Sequence, residues 1–156
     1  MPGKLKSLDE LQRAILRAKA RGRKIVFTNG CFDILHRGHL HVLRAAKALG
    51  DVLIVAVNSD RSVRQIKGPS RPVIAEAGRT ELIAALEMVD YVILFDQADP
   101  CHLIATLQPD VLAKGGDYGR ETVVGADLIE GRGGKVVVIP YLKGFSTTEI
   151  IERVRN

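Results

Sequence analysis

The chain has no tryptophan, three tyrosines, four phenylalanines and two cysteines. So few rings offer little for stacking the bases of a single strand, and no nucleic-acid partner is expected despite a net charge of +5. Two cysteines make no disulfide framework, which points to a reducing, cytoplasmic setting. No apolar run approaches the roughly 20 residues of a membrane-spanning helix, so no membrane partner is expected. The opening Met1-Pro2-Gly3-Lys4-Leu5-Lys6 has no apolar signal core. The first strand-to-helix turn lacks the Gly-x-Gly-x-x-Gly fingerprint, which argues against a nicotinamide enzyme. Cys31 and Cys101, without a carboxylate pair at ligand spacing, argue against zinc.

What is present fits one domain over residues 1–156, because that length supports one real core and not two. Residues 1–78 carry 15 Lys and Arg against 6 Asp and Glu, whereas residues 79–156 carry 8 against 12. The basic half would attract phosphorylated ligands.

Periodicity alternates between helix and strand along the chain. Ser7-Leu8-Asp9-Glu10 reads as a capping box for a helix over 8–20, with Leu8, Leu11, Ile15 and Ala18 on one face. Strands are expected at 24–28, 51–57, 90–95, 111–113 and 135–139. Helices are expected from Gly38 to Leu49, over 60–66, from Glu76 to Met88, from Pro100 to Leu107, near 122–130, and from the Ser146 cap to Val154. Near-continuous apolar strands between helices imply a mostly parallel five-stranded sheet in a Rossmann-like, three-layer α/β fold. In such folds ligands sit beyond the carboxyl ends of the strands, where the strand order reverses. The stretches 28–39, 58–72, 114–118 and 144–148 all follow strands and should converge there.

The first of these, Thr28-Asn29-Gly30-Cys31-Phe32-Asp33-Ile34-Leu35-His36-Arg37-Gly38-His39, joins a strand to a helix. A helix start gathers unpaired N–H groups and suits an anion, which Gly30 and Gly38 let the backbone approach. Two histidines three apart can flank one small group. In Lys67-Gly68-Pro69-Ser70-Arg71-Pro72, two prolines and a glycine mark a loop that should order only when Lys67 and Arg71 meet phosphate.

The Asn29–Asp33 and Leu35–His39 segments resemble the first signature of the H-x-G-H nucleotidyltransferase superfamily, which includes cytidylyltransferases and class I aminoacyl-tRNA synthetases. Asn58-Ser59-Asp60, Lys67-Gly68, Arg71-Pro72, Arg79, Lys114-Gly115-Gly116-Asp117-Tyr118 and Gly144 with Ser146-Thr147-Thr148 narrow the resemblance. Together they are similar to the heptose 1-phosphate adenylyltransferase domain of ADP-heptose synthase. Ala75-Glu76-Ala77-Gly78 and Phe145 depart from that pattern.

The resemblance implies transfer of AMP from ATP to a sugar 1-phosphate, with magnesium as cofactor. It implies His36, His39 and Lys67 as the catalytic set. Thr28, Asn29, Gly30, Phe32, Gly38, Arg71, Ser146, Thr147 and Thr148 would bind nucleotide or phosphate. Asp33, Asn58, Lys114 and Asp117 would meet substrate or nucleotide, with Asp33 open between a magnesium contact and a turn residue bonding its own backbone. A homo-oligomer is expected, served by a separate heptose kinase upstream. A glycerol-3-phosphate cytidylyltransferase-like enzyme and a nucleotide-binding sensor are the alternatives.

Overall fold

The computed structural model describes residues 3–116, 119 and 122–156. Its sheet has the order β3-β2-β1-β4-β5, formed by β1 (Ile25–Gly30), β2 (Val52–Asn58), β3 (Tyr91–Phe95), β4 (Val111–Gly115) and β5 (Lys135–Ile139). All strand pairs are parallel, so the fold is Rossmann-like α/β as the alternation implied. Side chains alternate across the strands, and each face buries its own helices. On one face Ile25, Phe27, Ile54 and Leu112 pack with α1 (Leu8–Ala20), α5 (Cys101–Leu107) and α6 (Ala126–Glu130). On the other, Val26, Leu53, Val55 and Ala113 pack with α2 (Arg37–Lys47) and α4 (Glu76–Ala84). The helices α3 (Asp60–Lys67) and α7 (Thr147–Arg155) stand at the carboxyl edge of the sheet, and α7 buries no residue.

Local chemistry explains most element ends. Ser7 and Glu10 form the expected capping box of α1. Ser59 caps α3 by accepting from Ser62 N–H, and Gly68, at φ 101°, closes it. Lys67 is therefore the last residue of a helix rather than part of a loop. The helix expected to reach Met88 stops at Ala84, where Leu86 N–H turns back to Ile83 O and Val89 N–H to Leu86 O. Leu82, an apolar residue of this helix, is exposed. The helix expected near 122–130 is shorter, beginning at Ala126 after Gly125 at φ 93°. Among the described residues no helix is long and apolar enough to cross a membrane.

Candidate active site

Register opens the site. β1 pairs with β2 along six residues, from Ile25 to Gly30, but with β4 only at Val26 and Phe27. Beyond those two pairs β1 and β4 part, at the point where the strand order reverses. Lys114 reaches back across the gap, its Nζ donating to Asn29 O at 2.8 Å. The resulting crevice has two adjoining lobes. The inner one, about 530 Å³, is lined by Thr28–Phe32, Asn58, Lys67, Lys114 and residues 122–124. The outer one, about 410 Å³, lies between the start of α2 and residues 141–149. His39, Val42, Lys67 and Tyr141 line both.

The turn after β1 is held in an uncommon shape. Phe32 and Ile34 take φ of 50° and 53°, a region that disfavours side chains with a Cβ and most of all a β-branched one. Between them Asp33 is buried. One carboxylate oxygen accepts from Arg71 Nε and Val73 N–H, both at 2.8 Å, and the other from Ile74 N–H at 2.9 Å. Burial alone would push the Asp33 carboxyl up. The N–H groups of Ile74 and Val73 and the Arg71 guanidinium hold it below the usual carboxylate range.

The two histidines also build the helix that carries them. His36 is the N-cap of α2, its Nδ1 accepting from Gly38 N–H at 3.0 Å, while His39 Nδ1 accepts from His36 N–H at 3.2 Å. This is a capping box made of imidazoles. The rings stack with centroids 3.9 Å apart. Because each Nδ1 accepts a backbone N–H, the neutral tautomer of each ring carries its proton on Nε2. Burial, and secondarily His36 beside it, lowers His39 to about 4, with Asp33 opposing; burial lowers His36 as well. Both rings are thus neutral Nε2–H donors near pH 7. Gly38 is needed for closeness, since a Cβ there would lie 2.8 Å from His36 Cε1 and 3.2 Å from Phe145 Cβ.

Lys114 and Lys67 bring positive charge to the inner lobe. Burial lowers Lys114 to about 8, with Lys67 adding to the shift and Cys31 opposing it. Burial raises the Cys31 thiol, which lies 3.9 Å from Asn58 Oδ1.

The crevice gathers most of the residues singled out in the sequence. Thr28, Asn29, Gly30, Phe32, Asn58 and Lys114 line the inner lobe; His36, Gly38, Arg71, Ser146, Thr147 and Thr148 line the outer; His39 and Lys67 line both. Asp33 is the correction. Its carboxylate neither bonds its own turn nor lines a lobe, because all its bonds go to the segment 71–74. That segment is tied to the turn through Asp33. The Thr147 hydroxyl is also committed, Oγ1 donating to Asp33 O at 2.6 Å. Ser146 Oγ accepts from Glu149 N–H at 3.1 Å and keeps its own O–H, so an anion here would meet the α7 N–H groups, Ser146 and Thr148. Asp117 lies outside the described residues.

Among the described residues no three His, Cys, Asp or Glu side chains group to hold a metal, and the Asp33 carboxylate is already bonded, so the turn offers no ready carboxylate to a magnesium ion.

Arg79, part of the resemblance but given no role there, and Tyr141 both take positions at the crevice that the sequence did not assign. Arg79 is buried and donates to Ile74 O, Cys31 O, Asn58 O and Asp60 Oδ1 at 2.6–2.8 Å, tying together the loops that line the crevice. Its signal was an arginine four residues before Ile83 and seven before Leu86, on the apolar face of a helix. Tyr141 had a weaker one, its place just after a strand that ends at the crevice.

A crevice at the reversal point, floored by neutral imidazoles and ringed by cations, defines a nucleotide- and phosphate-handling enzyme on a Rossmann-like sheet. The family model described as cytidylyltransferase-like matches residues 27–153, and the chain belongs to that family, within the nucleotidyltransferase superfamily. It is a nucleotidyltransferase, as the H-x-G-H resemblance implied. It is 52% identical over 151 residues to the "Bifunctional protein HldE" of Citrifermentans bemidjiense and 54% identical over 151 residues to that of Geobacter metallireducens. Each match covers 97% of this chain and 31% of the relative, so the chain spans about a third of these relatives' length. Among solved structures, the lipopolysaccharide core biosynthesis protein from Thermoplasma volcanium GSS1 superposes with a TM-score of 0.62. It is 34% identical, and the match covers 80% of this chain and all of the other. Pantoate-beta-alanine ligase from Francisella tularensis shares the fold, with a TM-score of 0.60 at 15% identity, covering 97% of this chain and 77% of the ligase.

Proposed function

We propose that this chain transfers AMP from ATP to D-glycero-β-D-manno-heptose 1-phosphate, giving ADP-heptose and pyrophosphate for lipopolysaccharide core biosynthesis. The observation that carries a two-substrate reading is the pair of lobes that share His39 and Lys67. The sugar is supported by the signature residues, and the lipopolysaccharide setting by the likeness to the lipopolysaccharide core biosynthesis protein of Thermoplasma volcanium.

In this reading the triphosphate takes the outer lobe, with its terminal phosphates at the N–H groups that open α7. The acceptor phosphate takes the inner lobe, held by Lys114 and Lys67. One of its oxygens bonds to the α-phosphorus as the bond from that phosphorus to the bridging oxygen breaks, and pyrophosphate leaves with the electron pair. The acceptor is already ionised, so no protein nucleophile is needed and catalysis reduces to positioning two anions that repel. The Nε2–H groups of His36 and His39 donate to the α-phosphate oxygens. Bound to the triphosphate, magnesium would supply further shielding of its charge. A kinase acting upstream must deliver the acceptor already phosphorylated.

The test is pyrophosphate release over a matrix of nucleoside triphosphates and phosphorylated acceptors. ATP with heptose 1-phosphate should be the fastest pair, and faster turnover of CTP with glycerol 3-phosphate would overturn the assignment.

Lys114 gives this reading a pH signature. With its ammonium lowered to about 8, the charge facing the acceptor is present below pH 8 and lost as the pH rises through it. The acceptor KM is expected to rise between about pH 8 and pH 9, while the Lys114→Arg variant, ionised throughout, shows no such rise. A flat KM in the unmodified protein would remove Lys114 from the acceptor site.

A further inference from the structure

Asp33 lines neither lobe, yet the chain holds two non-glycine residues in the left-handed region to bury it. Strain of that kind persists where surrounding contacts over-determine it, and it gathers at functional sites. The contacts here are specific. Arg71 bonds Asp33 through Nε alone, and in this pair the side chains are 13% and 0% exposed. A guanidinium anchored by Nε keeps both terminal nitrogens for another partner. Arg71 lines the outer lobe together with His36, His39 and Thr148. From the same residue, the Asp33 carbonyl takes the Thr147 hydroxyl, and because α7 buries no residue this bond directly ties its first turn to the site. One buried residue therefore joins the histidine turn, the arginine and the helix start.

We propose that Asp33 is a positioning residue for the triphosphate, aiming the terminal nitrogens of Arg71 into the outer lobe and seating the α7 start, so that the lobe is formed before nucleotide arrives. This rests on the reading of the outer lobe as the triphosphate seat. It does not depend on which acceptor is used. Asp33→Asn keeps the shape but puts an N–H group among donors, and Arg71→Lys keeps the charge but has no Nε to hold and no terminal fork.

The test is calorimetric binding of magnesium ATP, with magnesium CTP in parallel, to the full chain and to Asp33→Asn, Arg71→Ala, Arg71→Lys and the Asp33→Asn/Arg71→Ala pair, each checked by thermal unfolding. Each single variant is expected to weaken binding of the preferred nucleotide about tenfold, the scale of one or two charge-assisted hydrogen bonds. The double variant should bind little worse than Arg71→Ala, because Asp33 acts through Arg71. Losses that simply multiply would overturn the proposal and leave Asp33 a structural residue. In nitrogen-edited spectra the Arg71 Nε–H signal should be protected in the parent protein and exchange-broadened in Asp33→Asn; a signal protected equally in both would also overturn it. If Asp33→Asn does not fold, the Arg71 variants decide, and unchanged nucleotide affinity in Arg71→Lys and Arg71→Ala refutes the role. Failure of the heptose assignment would look different: no turnover with heptose 1-phosphate, but nucleotide binding that still depends on Asp33 and Arg71.

Discussion

Alanine in place of His39 is expected to lower turnover by about 10²–10³, the usual cost of removing one preorganised donor from a developing oxyanion. The same range is expected for His36→Ala. Each ring offers a neutral Nε2–H, since its Nδ1 is occupied by a backbone N–H, and each is held neutral near pH 7 chiefly by burial. Neutral donors attract substrate and product oxygens modestly and strengthen as charge shifts on the phosphate, which favours the transition state over the ground state. The double variant should lose less than the product of the single losses, because both groups act on one charge. The capping role has to be separated from this. Losing a cap costs about 1 kcal/mol of stability, so His36→Ala should also unfold more easily. His36→Asn is the discriminating variant: asparagine caps a helix well but cannot reach the phosphate as the imidazole does. It should recover the stability lost in His36→Ala and none of the turnover. Recovery of turnover with the cap would reduce His36 to a helix-starting residue.

The same shift predicts an acid-sensitive fold. The unfolded chain binds a proton on His39 near 6.5, whereas the folded chain resists until about 4. Within that window the unfolded state holds more protons, so stability falls as the pH drops from about 6.5 toward 4. Asp33, held below the usual carboxylate range, adds to the loss at the lower end.

The sequence revealed the parts that follow local rules. Ser7 and Glu10 marked the start of α1, apolar runs marked the strands, and glycines and capping residues after strands marked where ligands gather. It was silent on relations between distant segments. Nothing local says that β1 leaves β4 after two pairs while staying with β2 for six, yet that difference opens the crevice. Asp33 illustrates the limit: at sequence level its acidic side chain in a turn suits a metal or its own backbone. Its actual partners lie 38 to 41 residues away, and only the fold brings them within bonding distance. The histidines show a subtler gap. Their spacing suggested phosphate chemistry, but that same spacing is the N-cap and N3 spacing of a capping box, and imidazoles are seldom considered for that task.

Arg79→Met is expected to remove about 3–5 kcal/mol of stability, the scale seen when one member of a buried charge network is deleted. The side chain is wholly buried and makes four bonds, three of them to backbone carbonyls of separate segments. Methionine fills most of the volume but satisfies none of those oxygens, and each unsatisfied buried acceptor costs on the order of 1–3 kcal/mol before relaxation or water lessens it. For a domain of this size that loss lowers the unfolding midpoint by about 10 °C. Arg79→Lys should recover little, because one nitrogen cannot replace a planar fork with acceptors on several sides. The carbonyls in question belong to the turn after β1, the end of β2 and the segment that carries Arg71. Loosening them shifts both lobes at once, so nucleotide affinity should fall together with stability. In His39→Ala turnover should fall with nucleotide still bound. A thermal-unfolding series run beside nucleotide titrations separates the two variants. A midpoint for Arg79→Met within 2 °C of the parent would mean that water reaches those carbonyls and that Arg79 is not what holds the loops around the crevice.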